Sequence, residues 1–101
     1  MIICKVVGHV WATKKEEALV GQKLMVVREL DGAGRLKGTQ FVAADAVGAG
    51  VGEQVLVVEG STARIAAGGN HLPVDCAIVG IIDTLEVERE KEANRSGERE
   101  E

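Results

Sequence analysis

Glycine punctuates this chain so often that no long element fits between the marks. Asp31-Gly32-Ala33-Gly34, the run Gly48-Ala49-Gly50-Val51-Gly52, then Gly60 and the pair Gly68-Gly69 cut an aliphatic sequence into short pieces. Such clusters are turn signals, because glycine and Asx residues reach backbone conformations that other side chains avoid. Between them lie short apolar runs, and the first of these alternates with the period of a strand. Residues 2–13 put Ile2, Cys4, Val6, Gly8, Val10 and Ala12 on one face and Ile3, Lys5, Val7, His9, Trp11 and Thr13 on the other. One face is apolar and the other mixed, as in a half-buried strand. Further strands are predicted over 24–30, 39–44, 54–59 and 76–87, the last interrupted by Gly80 and Asp83. Lys14 to Glu17 reads as a charged turn. Ser61 to Ala67 reads as one or two helical turns, with Ser61 as N-cap and Gly68-Gly69 as the stop.

Five short strands and one short helix predict an all-β fold, a small OB-like β-barrel. Closure is expected because open strand edges invite aggregation. The domain should span residues 1–87. After Val87 apolar residues vanish apart from Ala93, so residues 88–101 read as a charged tail. Pairs such as Glu88–Lys91 and Glu92–Arg95 allow a frayed helix, and disorder is expected from Asn94 onward.

Charge and aromatic content then narrow the function. The net charge is −4, and the segment from Glu86 to the end supplies three of those charges. The preceding body is nearly neutral, and its only aromatics are Trp11 and Phe41. Nucleic-acid binders use basic grooves and stacking aromatics, so a nucleic-acid partner is not expected. A neutral aliphatic body suits packing against other protein. The start, MIICKVVGHV, lacks a basic region followed by a long apolar run, and no stretch nears the roughly 20 apolar residues of a membrane span. The expectation is a cytoplasmic protein with no membrane partner. Cys4 and Cys76 lack metal-ligand spacing. They read as small buried apolar residues, with a disulfide as the lesser alternative.

Candidate chemistry is thin. GAGVGE resembles a dinucleotide fingerprint, but the third glycine would fall at Glu53 and the next segment is a strand, not a helix. The glycines are better explained by positive φ or close backbone approach, within a subunit or across an interface. His9 and His71 cannot form a metal site by themselves. His9 reads as a surface or interface residue and His71 as a solvated loop residue. Ser61 needs no nucleophilic role beyond its cap. Asp45, Asp75 and Asp83 flank apolar segments as turn or capping residues. No catalytic set, cofactor or metal is expected. Arg64 is the only base between Lys37 and Arg89. Its planar fork binds carboxylates bidentately, either in an ordinary surface pair or in a pair between subunits.

Three stretches carry a specific likeness: Phe41 through Val58 with Asp45, Gly48, Gly50, Gly52 and Glu53; Glu59-Gly60-Ser61-Thr62-Ala63-Arg64; and Asp75 through Asp83 with Val79-Gly80-Ile81-Ile82. With Val7-Gly8-His9-Val10-Trp11-Ala12-Thr13 and Leu24-Met25-Val26-Val27, they resemble the EutN/CcmL family over residues 1–85. That family comprises the vertex proteins of bacterial microcompartment shells. The resemblance implies a five-stranded OB-like barrel assembled as a cyclic homopentamer. The pentamer would cap five-fold corners of a shell tiled by hexameric shell proteins, without catalytic residues. Asp45, Gly48, Gly50, Gly52, Glu53, Ser61, Ala63 and Arg64 are the implied candidates for subunit contacts and pore surroundings. Thr62 stands where the family often has Ser or Ala, a small departure. The rival reading is an OB-type module binding oligonucleotide or oligosaccharide, which the two aromatics and acidic total disfavour.

Overall fold

The computed structural model describes residues 1–11, 17–69 and 73–83. Its strands are β1 (Ile2–His9), β2 (Leu24–Glu29), β3 (Phe41–Asp45), β4 (Gln54–Glu59) and β5 (Cys76–Ile81). One helix, α1 (Ser61–Ala67), joins β4 to β5. The strands close into a barrel in the order β1-β2-β3-β5-β4, with β4 returning to β1. Every neighbouring pair is antiparallel except β3 with β5.

Alternation builds the interior. Cys4 and Val6 of β1, Met25 and Val27 of β2, Ala43 of β3, Val55 and Val57 of β4, and Ile78 of β5 form one buried cluster. Side chains in a strand project alternately, so each of these short strands supplies only one or two residues to it. A bulge between Val6 and Gly8 breaks the alternation of β1. The apolar face expected to run on through Gly8 and Val10 therefore loses its inward direction, and both are only half-buried.

The boundaries of β4 and α1 match the sequence expectation. Strand β1 stops at His9 rather than Thr13, although the Val10 amide still donates to the Leu24 carbonyl at 3.1 Å. Residues 12–16 lie outside the described residues, and the expected charged turn falls partly there. Glu17–Leu19 is a 3-10 turn. Leu30, expected in β2, forms an isolated bridge with Leu36. Strand β3 is shifted toward its C-terminus and takes in Asp45. Strand β5 includes Gly80 and ends at Ile81, and residues 84–87 of the expected strand lie outside the described residues. The expected tail, with its pairs from Glu88 onward, lies outside the described residues.

The turn at Asp31 is built as its sequence suggests. Asp31 Oδ1 accepts from the amides of Ala33 at 2.8 Å and Arg35 at 2.9 Å. The Arg35 amide bond is the main reason that the Asp31 carboxyl sits below its usual pKa.

Candidate subunit interface

The glycine-rich segment crosses one end of the barrel between β3 and β4, and three side chains hold it still. Asp45 Oδ1 accepts from the amides of Val47 and Gly48, each at 3.0 Å. Its Oδ2 faces Lys23 Nζ at 3.3 Å, in an ion pair without good hydrogen-bond alignment. The Asp45 side chain has no exposed surface. Lys23 Nζ also donates to the Ala49 carbonyl at 3.1 Å. Glu53 Oε1 accepts from the Gly50 amide at 2.6 Å. The backbone then zips onto β1: the Gly52 amide donates to the Val6 carbonyl at 2.8 Å and the Val6 amide to the Glu53 carbonyl at 2.9 Å.

Within this clasp Ala49 points inward and is fully buried with the barrel core. Gly48 and Gly52 have φ of 80° and 96°, where a Cβ is strained. Gly50, one of the glycines expected to have positive φ or a close backbone neighbour, does not have positive φ. A Cβ built on it would meet only Glu53 Oε1, at 3.5 Å. Its conformation is open to other residues, so backbone strain is no argument there. Val47 and Val51 stand exposed on the clasped loop. A fixed loop carrying exposed apolar side chains loses little entropy when another surface covers it.

Helix α1 lies against β4 and β5 through Ala63, which is fully buried beside Val58 and Ala77. Ser61 is not the cap: Gly60 occupies the N-cap position, and no side chain caps the helix. The Gly60 amide is held instead by the Asp75 carbonyl at 2.9 Å. That bond places Ser61 on the first helical turn, where its side chain is exposed. Ile65 faces outward with 64% of its surface exposed. Arg64 is half-buried, and no carboxylate among the described residues pairs with it.

The implied contact residues therefore fall into three groups. Asp45 and Ala63 have their side chains buried within their own protomer. Gly48, Gly52, Glu53 and Ser61 are exposed, while Gly50 and Arg64 are half-buried. Asp45 is thus not available to an arginine of another copy, whereas Glu53 is. Lys23 had drawn no attention in the sequence. No local motif links it to Asp45, and only the β2–β3 register, with Leu24 opposite Ala44, brings the two together.

Trp11 is 86% exposed and stacks on His9 with ring centroids 5.6 Å apart. His9 is at the surface, as expected, and His71 lies outside the described residues. A shallow groove of 220 Å³ between β2, β3 and the segment before β5 is lined mainly by apolar residues, with Asp75 as its one carboxylate. Both cysteines are free thiols, Cys4 buried and Cys76 half-buried. Burial is the main cause that pushes each thiol up to about 11. Among the described residues no group of three or more His, Cys, Asp or Glu is placed to hold a metal.

The carboxysome shell vertex protein CcmL of Synechococcus elongatus is 50% identical over 88 residues, covering 87% of this chain and 89% of CcmL. The solved structure of Gloeobacter violaceus CcmL superposes with a TM-score of 0.82 at 44% identity, covering 87% of this chain and 91% of that one. GrpN from Rhodospirillum rubrum, a pentameric microcompartment shell protein, gives a TM-score of 0.80 at 44% identity and is covered over its whole length by 87% of this chain. Residues 1–83 match the family described as ethanolamine utilisation protein EutN/carboxysome, so this chain belongs to the EutN/CcmL family.

Proposed function

We propose that this chain is a structural shell protein whose copies form a homopentamer and cap the five-fold vertices of a polyhedral bacterial microcompartment. One observation carries the reading: relatives that are shell vertex proteins match the barrel over nearly all of their own length, and one of them is a pentamer. The geometry supports it. A rigid loop with exposed Val47 and Val51, an exposed Trp11, and Ile65 on α1 are apolar surface that a lone protomer leaves in water. The flanks of the vertex would meet hexameric shell proteins, in the bacterial cytoplasm. The role is scaffolding rather than catalysis.

Gly48, Gly52, Glu53, Ser61 and Arg64 are the contact candidates whose exposure leaves them within reach of a neighbour. Arg64 would bridge subunits, with Glu53 of the next copy as its carboxylate. Residues 88–101 would be dispensable for the ring.

Light scattering of the purified protein tests the proposal. The expected result is five times the 10.7 kDa chain mass at micromolar concentration. A monomer or dimer would overturn it. Binding of single-stranded DNA that weakens with salt would favour the OB-module reading instead.

A further inference from the structure

The lysines and arginines of the barrel are unevenly neutralised. Lys23, Arg35 and Lys37 pair with Asp45, Asp31 and Glu29 of their own protomer. Lys5 and Arg28 have no such pair among the described residues, yet they stand directly opposite each other on β1 and β2. Like charges facing across an antiparallel ladder are destabilising. Lys5 is exposed, and its partner on the other side, in β4, is the neutral Gln54. Arg28 is half-buried, and its Nε donates to the Gly38 carbonyl at 2.7 Å, which orients the guanidinium without neutralising it. The β1–β2 seam therefore carries a fixed positive pair.

A negative pair sits elsewhere on the barrel. Glu59 ends β4 opposite Cys76, and Asp75 immediately precedes β5. Both are exposed, and neither has an ion pair among the described residues. The two carboxylates both bear on the Cys76 thiol and add to the effect of its burial. Arg64, one turn into α1, is the nearest base in sequence and lies farther than ion-pair distance from either acid. In the closed barrel the β1–β2 and β4–β5 seams share no strand and are separated by the β4–β1 seam, so the two pairs are distinct patches.

We infer that copies of this chain meet head to tail, with Lys5 and Arg28 of one copy set against Glu59 and Asp75 of the next. This rests on the ring proposed above. Each patch repels its own image, so a two-fold contact through either one is disfavoured. Each attracts the other, and a contact between two different patches is the kind that closes a ring.

Charge reversal provides the test. The variants are K5E/R28E, E59K/D75K, and all four substitutions together, with mass followed on dilution by light scattering and folding by circular dichroism. Each double variant should raise the concentration at which the ring dissociates by about 100-fold, because like charges then meet at every contact. The fourfold variant restores complementarity and should return to within roughly tenfold of the wild type. A wild-type ring whose double variants dissociate at an unchanged concentration overturns the contact alone. A fourfold variant as weak as the doubles does the same. A wild type that forms no ring overturns the ring and the contact together. Should a double variant fail to fold, Lys5→Gln with Arg28→Gln and a wild-type salt series decide. The wild-type ring should weaken between roughly 0.05 and 0.5 M salt. A ring indifferent both to salt and to the neutral substitutions overturns the contact.

Discussion

Asp45→Ala should be among the most damaging single substitutions in this protein, although the residue lies where a strand gives way to a loop. Its Oδ1 accepts two amides at 3.0 Å, and its Oδ2 lies 3.3 Å from Lys23 Nζ. A hydrogen bond to a charged group contributes about 1.5–3 kcal/mol. Val47 and Gly48 are exposed, so water can partly replace the lost acceptor. The lower end is therefore the right choice, about 1.5 kcal/mol for each bond. Lys23 is 47% exposed at its side chain and rehydrates, so the ion pair adds only about 0–1 kcal/mol. The expected loss is about 3–4 kcal/mol, a large share of the roughly 5–15 kcal/mol that holds a domain folded. Thermal unfolding followed by circular dichroism should register a fall in Tm of roughly 15–25 °C. Protomer concentration must be held constant, because assembly makes Tm depend on it. Asp45→Asn keeps an acceptor oxygen and should lose about half as much. An Ala variant within about 1 kcal/mol of the wild type would refute the clasp as a source of stability. An Asn variant as damaged as Ala would show that charge, not the pair of amide bonds, is what matters.

Other substitutions separate roles that the sequence alone runs together. Gly48→Ala and Gly52→Ala should each cost about 1–2 kcal/mol in urea unfolding, whereas Gly50→Ala should stay within about 0.5 kcal/mol; equal effects at all three would discredit the backbone argument. Arg64→Ala should give a ring that dissociates on dilution, and Arg64→Lys should rescue it only partly, because a point charge cannot reproduce the planar fork; an Ala variant that keeps its mass to nanomolar concentration refutes that role. The two thiols make stability fall at alkaline pH. Their native pKa values of about 11 lie above the usual 9.0, so the native state holds protons that the unfolded chain has released. Stability should be intact below pH 9 and decline between about 9 and 11, and the decline should be shallower in Cys4→Ala; an unchanged slope would show that the thiol does not contribute.

The barrel was legible in the sequence because two local signals agreed. Short aliphatic runs, alternating in β1, gave the strands, and glycine clusters gave the turns. Strand β4 and helix α1, bracketed by glycine on both sides, have the predicted ends. Strand β5 does not. Its ladder with β4 runs to Val55, the Ile82 amide adds one more bond to the Gln54 carbonyl at 2.8 Å, and residues 84–87 of the expected strand lie outside the described residues. Ser61 illustrates a different failure: a good capping side chain stands one residue too late, and the glycine before it takes the cap. The clasp was half visible. Asp45 and Glu53 belonged to a recognisable stretch, but Lys23 is joined to them only by strand register. Ala49 looked like loop filler, since nothing local marks an alanine between two glycines as core. The charge layout on the two seams was likewise invisible, because opposition between Lys5 and Arg28 exists only once β1 and β2 are paired.

The parallel pairing of β3 with β5 has a consequence for the order of events in folding. It joins Ala44 to Ala77 and Asp45 to Ile78 across the intervening β4 and α1, and it is the shortest ladder in the barrel. Pairing between distant parts of a chain is slow, because the connecting loop must be closed before any contact rewards it. The β1-β2 hairpin can form early. The long-range seams, β1 with β4 and β3 with β5, come later, and the β3–β5 seam is made by the fewest bonds. The same seam is where the native barrel should first open, so amides near Asp45 should exchange with solvent sooner than those of Val55 and Val57 at the centre of β4.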